Sequence, residues 1–104
     1  MEDNKKVFLR RYKSRIQSTN SWLSLDDWYS LYIERGEDEF LDKLEDEERF
    51  TEFCRRFYNI LREEYNICSA GMQDSYEQCK VKFGGDLDAY ENELMLVIRS
   101  RRQR

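Results

Sequence analysis

Residues 47–66 read EERFTEFCRRFYNILREEYN, and the apolar members Phe50, Phe53, Cys54, Phe57, Ile60, Leu61 and Tyr65 recur at helical steps. At a period of about 3.6 these side chains share one face of an α-helix, while Glu52, Arg55, Arg56, Asn59 and Glu63 occupy the other. A long amphipathic helix is predicted over Glu47–Asn66. Upstream, Phe40, Leu41 and Leu44 carry a helical pattern from Asp38 onward, and the sequence leaves open whether the helix is continuous through 45–49.

The same period extends in both directions. Phe8, Leu9, Tyr12 and Ile16 predict a first helix over Asn4–Gln17, followed by a loop at Ser18-Thr19-Asn20-Ser21. Ser24 and Asp27 form a variant of the capping box, in which hydroxyl and carboxylate satisfy the unpaired N–H groups of a helix start, and Gly36 is a plausible stop. Between them Leu25, Trp28, Tyr29, Leu31, Tyr32 and Ile33 cover a wider arc than a single neighbouring helix needs. Ser69-Ala70-Gly71 reads as a turn, and Met72, Tyr76, Cys79 and Phe83 predict a shorter helix that ends at Gly84-Gly85. Asp86 is the expected N-cap of a last helix striped by Leu87, Tyr90, Leu94, Val97 and Ile98. The run from Leu94 to Ile98 also suits a short strand, but no partner strand is evident. The expected fold is all-α, an irregular five- to six-helix bundle in a single domain over residues 1–98, with a frayed basic tail at 99–104.

Composition agrees with this reading. The 104 residues contain no proline, so nothing forces a helix to stop. Leu, Ile, Val and Phe make up 23% of the chain, above the roughly 20% below which a charged sequence tends toward disorder. Fifteen aromatic residues add the large buried area that a small core needs.

Absences narrow the chemistry. There is no histidine, which removes Ser-His-Asp and Cys-His catalysis, histidine general bases and histidine-containing zinc sites from what the chain can build unaided. Cys54, Cys68 and Cys79 form no C-x-x-C pair, and an odd count argues against a disulfide framework and for a reducing compartment. Cys54 and Cys79 fall in apolar stripes, whereas Cys68 lies at a helix end and is the one expected to be exposed. No signal-peptide core and no apolar run of membrane-spanning length is present, and Gly84-Gly85 lacks the strand and lysine of a phosphate loop. The expectation is a cytoplasmic protein that uses no cofactor, metal or membrane.

The formal net charge of -4 hides strong segregation. Residues 1–16 carry +4, residues 34–52 carry -7, and the stretch from Leu94 onward carries +4. The acidic residues Glu37, Asp38, Glu39, Asp42, Glu45, Asp46, Glu48 and Glu52 are the candidate partner-binding face, because carboxylates crowded on a helix repel one another. A solvated surface, helped by the attraction of acids to a helix N-terminus, explains the same block without a partner. Trp22 and Tyr29 are candidate aromatic anchors, while Trp28 and Tyr32 are expected in the core; Trp22 alternatively packs as a hydrophobic staple on the second helix. Lys6, Arg10, Arg11, Lys13 and Arg15, with Arg99, Arg101, Arg102 and Arg104, are candidate phosphate contacts, although the overall acidity counts against nucleic acid as the main partner. The basic first helix also suits pairing with the acidic segment, within one chain or across a homodimer.

One enzymatic pattern survives the lack of histidine. Glu45-Asp46-Glu47-Glu48 and, further on, Asp74-Ser75-Tyr76-Glu77 together resemble the paired acidic motifs of all-α nucleoside triphosphate pyrophosphatases of the MazG type, with the residue types of the second pair reversed. That resemblance implies Mg²⁺ held by carboxylates. The main expectation is instead a non-enzymatic inhibitor that binds another protein and occludes a basic nucleic-acid-binding site with its acidic helical face. In charge and size it is similar to compact helical inhibitors of restriction or CRISPR nucleases carried by phages and mobile elements, and to bacteriocin immunity proteins. A nucleic-acid-binding regulator that uses the first helix and the arginine-rich tail is the alternative.

Overall fold

The computed structural model describes residues 3–102, and the described residues are all-α. Five α-helices follow one another, α1 over Asn4–Gln17, α2 over Leu25–Arg35, α3 over Glu37–Tyr65, α4 over Met72–Phe83 and α5 over Leu87–Arg102, with a short 3₁₀ turn at Ser69–Gly71 before α4. The stretch from Leu94 to Ile98 is helical, not a strand. The chain gathers into two compact units, Met1–Glu52 and Phe53–Arg104.

Each boundary has a local cause. Asp3 caps α1 by accepting from the Lys5 amide at 3.0 Å. Ser24 and Asp27 complete the capping box of α2, each side chain accepting from the other residue's amide at 3.1 Å. Gly36 ends α2 at φ 90° and ψ 168°, a conformation that is essentially restricted to glycine, so that α3 starts after a single linking residue. Asp86 accepts from the amides of Asp88 and Ala89 at 3.0 and 3.2 Å, which starts α5. α3 is unbroken through 45–49 and its 29 residues span about 43 Å.

In the first unit the buried residues Phe8, Tyr12, Ile16, Trp28, Phe40 and Leu44 form the core. Phe40 is its hub: the rings of Tyr12, Phe8, Tyr32 and Trp28 lie 4.8, 5.3, 5.6 and 5.7 Å from its own, all near edge-on, the arrangement that aromatic quadrupoles prefer. Within the wide arc of α2, Trp28 is fully buried, Leu25, Tyr29, Leu31 and Tyr32 are half-buried against the core, and Ile33 is exposed, so Tyr32 lies at the edge of the core and not within it.

In the second unit Phe53, Phe57 and Leu61 of α3 pack with Met72, Tyr76 and Cys79 of α4 and with Tyr90, Leu94 and Ile98 of α5. The left-handed Asn66, at φ 55°, ends α3, and Gly84, at φ 62°, ends α4. The stretch Arg99–Arg102, basic but for Ser100, continues α5 where fraying was expected: Arg101 donates to the Glu64 carbonyl at 2.7 Å and Arg102 to the Glu64 carboxylate at 2.9 Å. Cations at the last carbonyls of α3 complete its unpaired end and complement its dipole. Arg104 lies outside the described residues.

Candidate functional site

The first half of α3 carries the acidic block, and the structure divides it. Glu37 accepts the Tyr12 hydroxyl at 2.7 Å, and this bond, together with burial, pushes the Tyr12 phenol up from its ordinary pKa. Glu48 takes a two-pronged contact from Arg15, at 3.3 Å from Nε and 2.7 Å from Nη2. The bond to Glu48 raises the pKa of the guanidinium, which is thereby tied down and withdrawn from the candidate phosphate contacts. Asp46 and Glu52 have interactions of their own, and Glu47 is half-buried, its carboxyl pKa pushed up by desolvation.

Asp38, Glu39, Asp42 and Glu45 remain. They are exposed and make no hydrogen bond or ion pair among the described residues. At 100° per residue Asp38, Asp42 and Glu45 fall within an arc of about 60°, so they form a stripe of roughly 10 Å along the helix. The positive end of the α3 dipole stabilises Asp38 and Glu39 in the first turn, but its influence fades within that turn; Glu45 then has only the nearby Arg15 charge, which Glu48 holds, and Asp42 has no ion pair among the described residues.

The loop between α1 and α2 is fastened to α3 by its hydroxyls. The Thr51 hydroxyl donates to the Glu47 carbonyl at 2.8 Å and accepts from the Asn20 amide at 2.9 Å, while Ser18 and Thr19 each donate to carbonyls of the last turn of α1 at 2.7 Å. Thr51 is buried, and the sequence reading missed it as a latch; a β-branched hydroxyl between Phe50 and Glu52 was the only signal. Trp22, in this fastened loop, is fully exposed, so it packs on nothing and is no staple. Tyr29 is half-buried with its ring 5.3 Å from Phe8, which gives it a structural part as well as an exposed edge.

On α1, Lys6, Arg11 and Lys13 are exposed and make no ion pair among the described residues, whereas Arg10 has an interaction of its own. Lys5 pairs with Asp26, which joins α1 to α2. Among the described residues no group of three or more His, Cys, Asp or Glu side chains converges as a metal site would need. Glu48 and Glu77, from the two acidic motifs, are engaged by Arg15 and by Lys80 respectively. No described helix is long and apolar enough to cross a membrane. Searched against protein-family models, curated proteins and solved structures, the chain has no significant match.

Proposed function

We propose that this protein acts by binding, its acidic α3 stripe docking on a basic nucleic-acid-binding surface of another protein and occluding it. The observation that carries this reading is the exposed stripe of Asp38, Asp42 and Glu45, in which Asp42 lies beyond the first turn and has no ion pair among the described residues, and Glu45 feels only the Arg15 guanidinium that Glu48 already holds. A partner's cations supply the missing compensation, and complementary charge of this kind speeds encounter and selects partners. Trp22, exposed in a loop whose backbone is hydrogen-bonded to α3, adds an apolar anchor of the type that dominates binding energy at interfaces. The role is that of an inhibitor or immunity-like protein of the kind mobile elements carry, with no catalysis of its own, and the three free thiols accord with the cytoplasm.

The test is a charge reversal at positions that hold nothing else together. Asp42→Lys with Glu45→Lys spares Glu48 and therefore the Arg15 pair. The tagged chain is captured from native lysate with and without nuclease, and the partner is then assayed for nucleic-acid binding with the chain added. The wild type displaces nucleic acid from a nuclease-resistant partner, and the reversed variant, with unchanged helical circular dichroism, loses at least about tenfold in potency. Equal potency sinks the proposal. The second reading, direct binding of nucleic acid, rests on Lys6, Arg11 and Lys13 of α1, which are exposed and make no ion pair among the described residues. Recovery that collapses on nuclease treatment, together with a gel shift at low salt that Lys6→Ala and Lys13→Ala weaken, favours it.

A further inference from the structure

The second unit contains a cavity of about 220 Å³, walled by the last turns of α3 and by α4 and α5. It opens to solvent on one side, so it is a cleft between helices and not an interior void. It is also smaller than the roughly 300–1,000 Å³ pockets that take drug-sized ligands, and it exceeds the roughly 150 Å³ apolar cavity that accepts benzene. An occupant with a single ring or a branched aliphatic group matches that volume.

The inner surface is apolar to a ligand. Leu61, Tyr90 and Leu94 are buried at its floor, with Phe83 and Val97 half-buried above them. Its inner hydroxyls are engaged by protein: the Tyr65 hydroxyl donates to the Leu94 carbonyl at 2.9 Å, the Ser75 hydroxyl donates to the Gly71 carbonyl at 3.1 Å, and the Tyr90 hydroxyl is hydrogen-bonded with Ser75. Three aromatic rings in the lining, those of Tyr65, Phe83 and Tyr90, favour an aromatic guest through edge-to-face contact.

The uncommitted polar groups sit among the exposed lining residues. α4 contributes Gln78 and Lys82, one turn apart, and α5 contributes Glu93. Lys82 and Glu93 pair neither with each other nor with another charge among the described residues. One opening thus offers an unpaired cation on one wall and an unpaired anion on another, above an apolar space of one-ring size. We propose that this cavity binds a free apolar α-amino acid of phenylalanine size, its side chain in the cavity, its carboxylate on Lys82 and its ammonium on Glu93. A purely anionic amphiphile leaves Glu93 facing like charge, and a purely cationic one does the same to Lys82, so the zwitterion is the class that both groups accept.

Methyl-resolved NMR on the full chain tests this with L-phenylalanine, phenylpropionate and phenethylamine as probes. L-phenylalanine shifts the methyl signals of Leu61, Leu94 and Val97 saturably, and each single-charge analogue binds about tenfold more weakly, since each forfeits a charge-assisted hydrogen bond. Lys82→Glu and Glu93→Lys, both exposed and checked by circular dichroism, each weaken L-phenylalanine by about tenfold, and Val97→Trp, which fills the space, abolishes the shifts. The absence of a saturable shift up to the solubility limit overturns the proposal. So does binding of either single-charge analogue as tight as that of phenylalanine, or affinity unchanged in Lys82→Glu.

Discussion

Glu47 shows how one side chain converts position into pH dependence. It lies half-buried on α3, and desolvation raises its carboxyl pKa against the lowering influence of Lys43. A carboxyl whose folded pKa exceeds its unfolded one contributes stability below the unfolded value and loses it as pH rises through the folded value. Glu47→Gln is therefore expected to raise the melting temperature at neutral pH, and the gain should vanish as pH falls below the carboxylate range; equal melting temperatures at pH 7 would contradict the burial. Thr51, one turn on, works in the opposite sense. Its hydroxyl serves both the Glu47 carbonyl and the Asn20 amide, so Thr51→Val keeps the shape but leaves the loop amide without its acceptor. The expected loss is about 1–2 kcal/mol, read as a shifted urea midpoint at unchanged slope. Trp28 carries a cost that the fold retains: its buried indole N–H has no partner among the described residues, while its ring is fully buried and meets Phe40 edge-on.

At the scale of the elements, the link between α2 and α3 is a single glycine. An added Cβ at Gly36 meets nothing within 4 Å, so the penalty of Gly36→Ala comes wholly from its backbone conformation. Chemical denaturation should show a loss of about 1–3 kcal/mol, and a loss near zero would mean that the link relaxes to negative φ. The starts of α2 and α5 were legible because Ser24, Asp27 and Asp86 satisfy amides two and three residues away, a wholly local matter. The unbroken run of α3 through 45–49 was not. Five of the six residues from Leu44 to Arg49 are charged, and no repeating apolar side chain marks a face there. The helix is held in that stretch by long-range partners instead: Leu44 in the core, Arg15 on Glu48 and Asn20 on Thr51. The arginines of the C-terminal stretch likewise owe their helical state to Glu64, which lies 37 residues or more away in sequence.

For the whole molecule the three thiols report global structure. Cys68 is exposed, Cys54 is half-buried and Cys79 is buried with its thiol pKa pushed up by desolvation. A thiol reagent on the native chain should modify Cys68 rapidly and Cys79 only at the rate of unfolding, because thiolate and access are both needed for reaction. Mass mapping that finds Cys79 modified as fast as Cys68 would contradict the core of the second unit. Charge is distributed on the same scale, and tertiary contact consumes part of it. Glu37, Glu48 and Arg15 are spent on internal bonds and Glu45 lies within the field of Arg15, while Asp38, Glu39 and Asp42 keep their charge for solvent or a partner.

By itself the sequence determined the helical class, four of the five helix starts, the burial of Trp28 and the exposure of Cys68, since periodicity, capping and apolar spacing act within a few residues of chain. Only the tertiary structure decided which carboxylates are free, that Thr51 is a latch, and that Leu61, Lys82 and Glu93 line one cavity. Those properties depend on residues distant in sequence that meet only when helices pack, and no local pattern encodes which partner a side chain will meet.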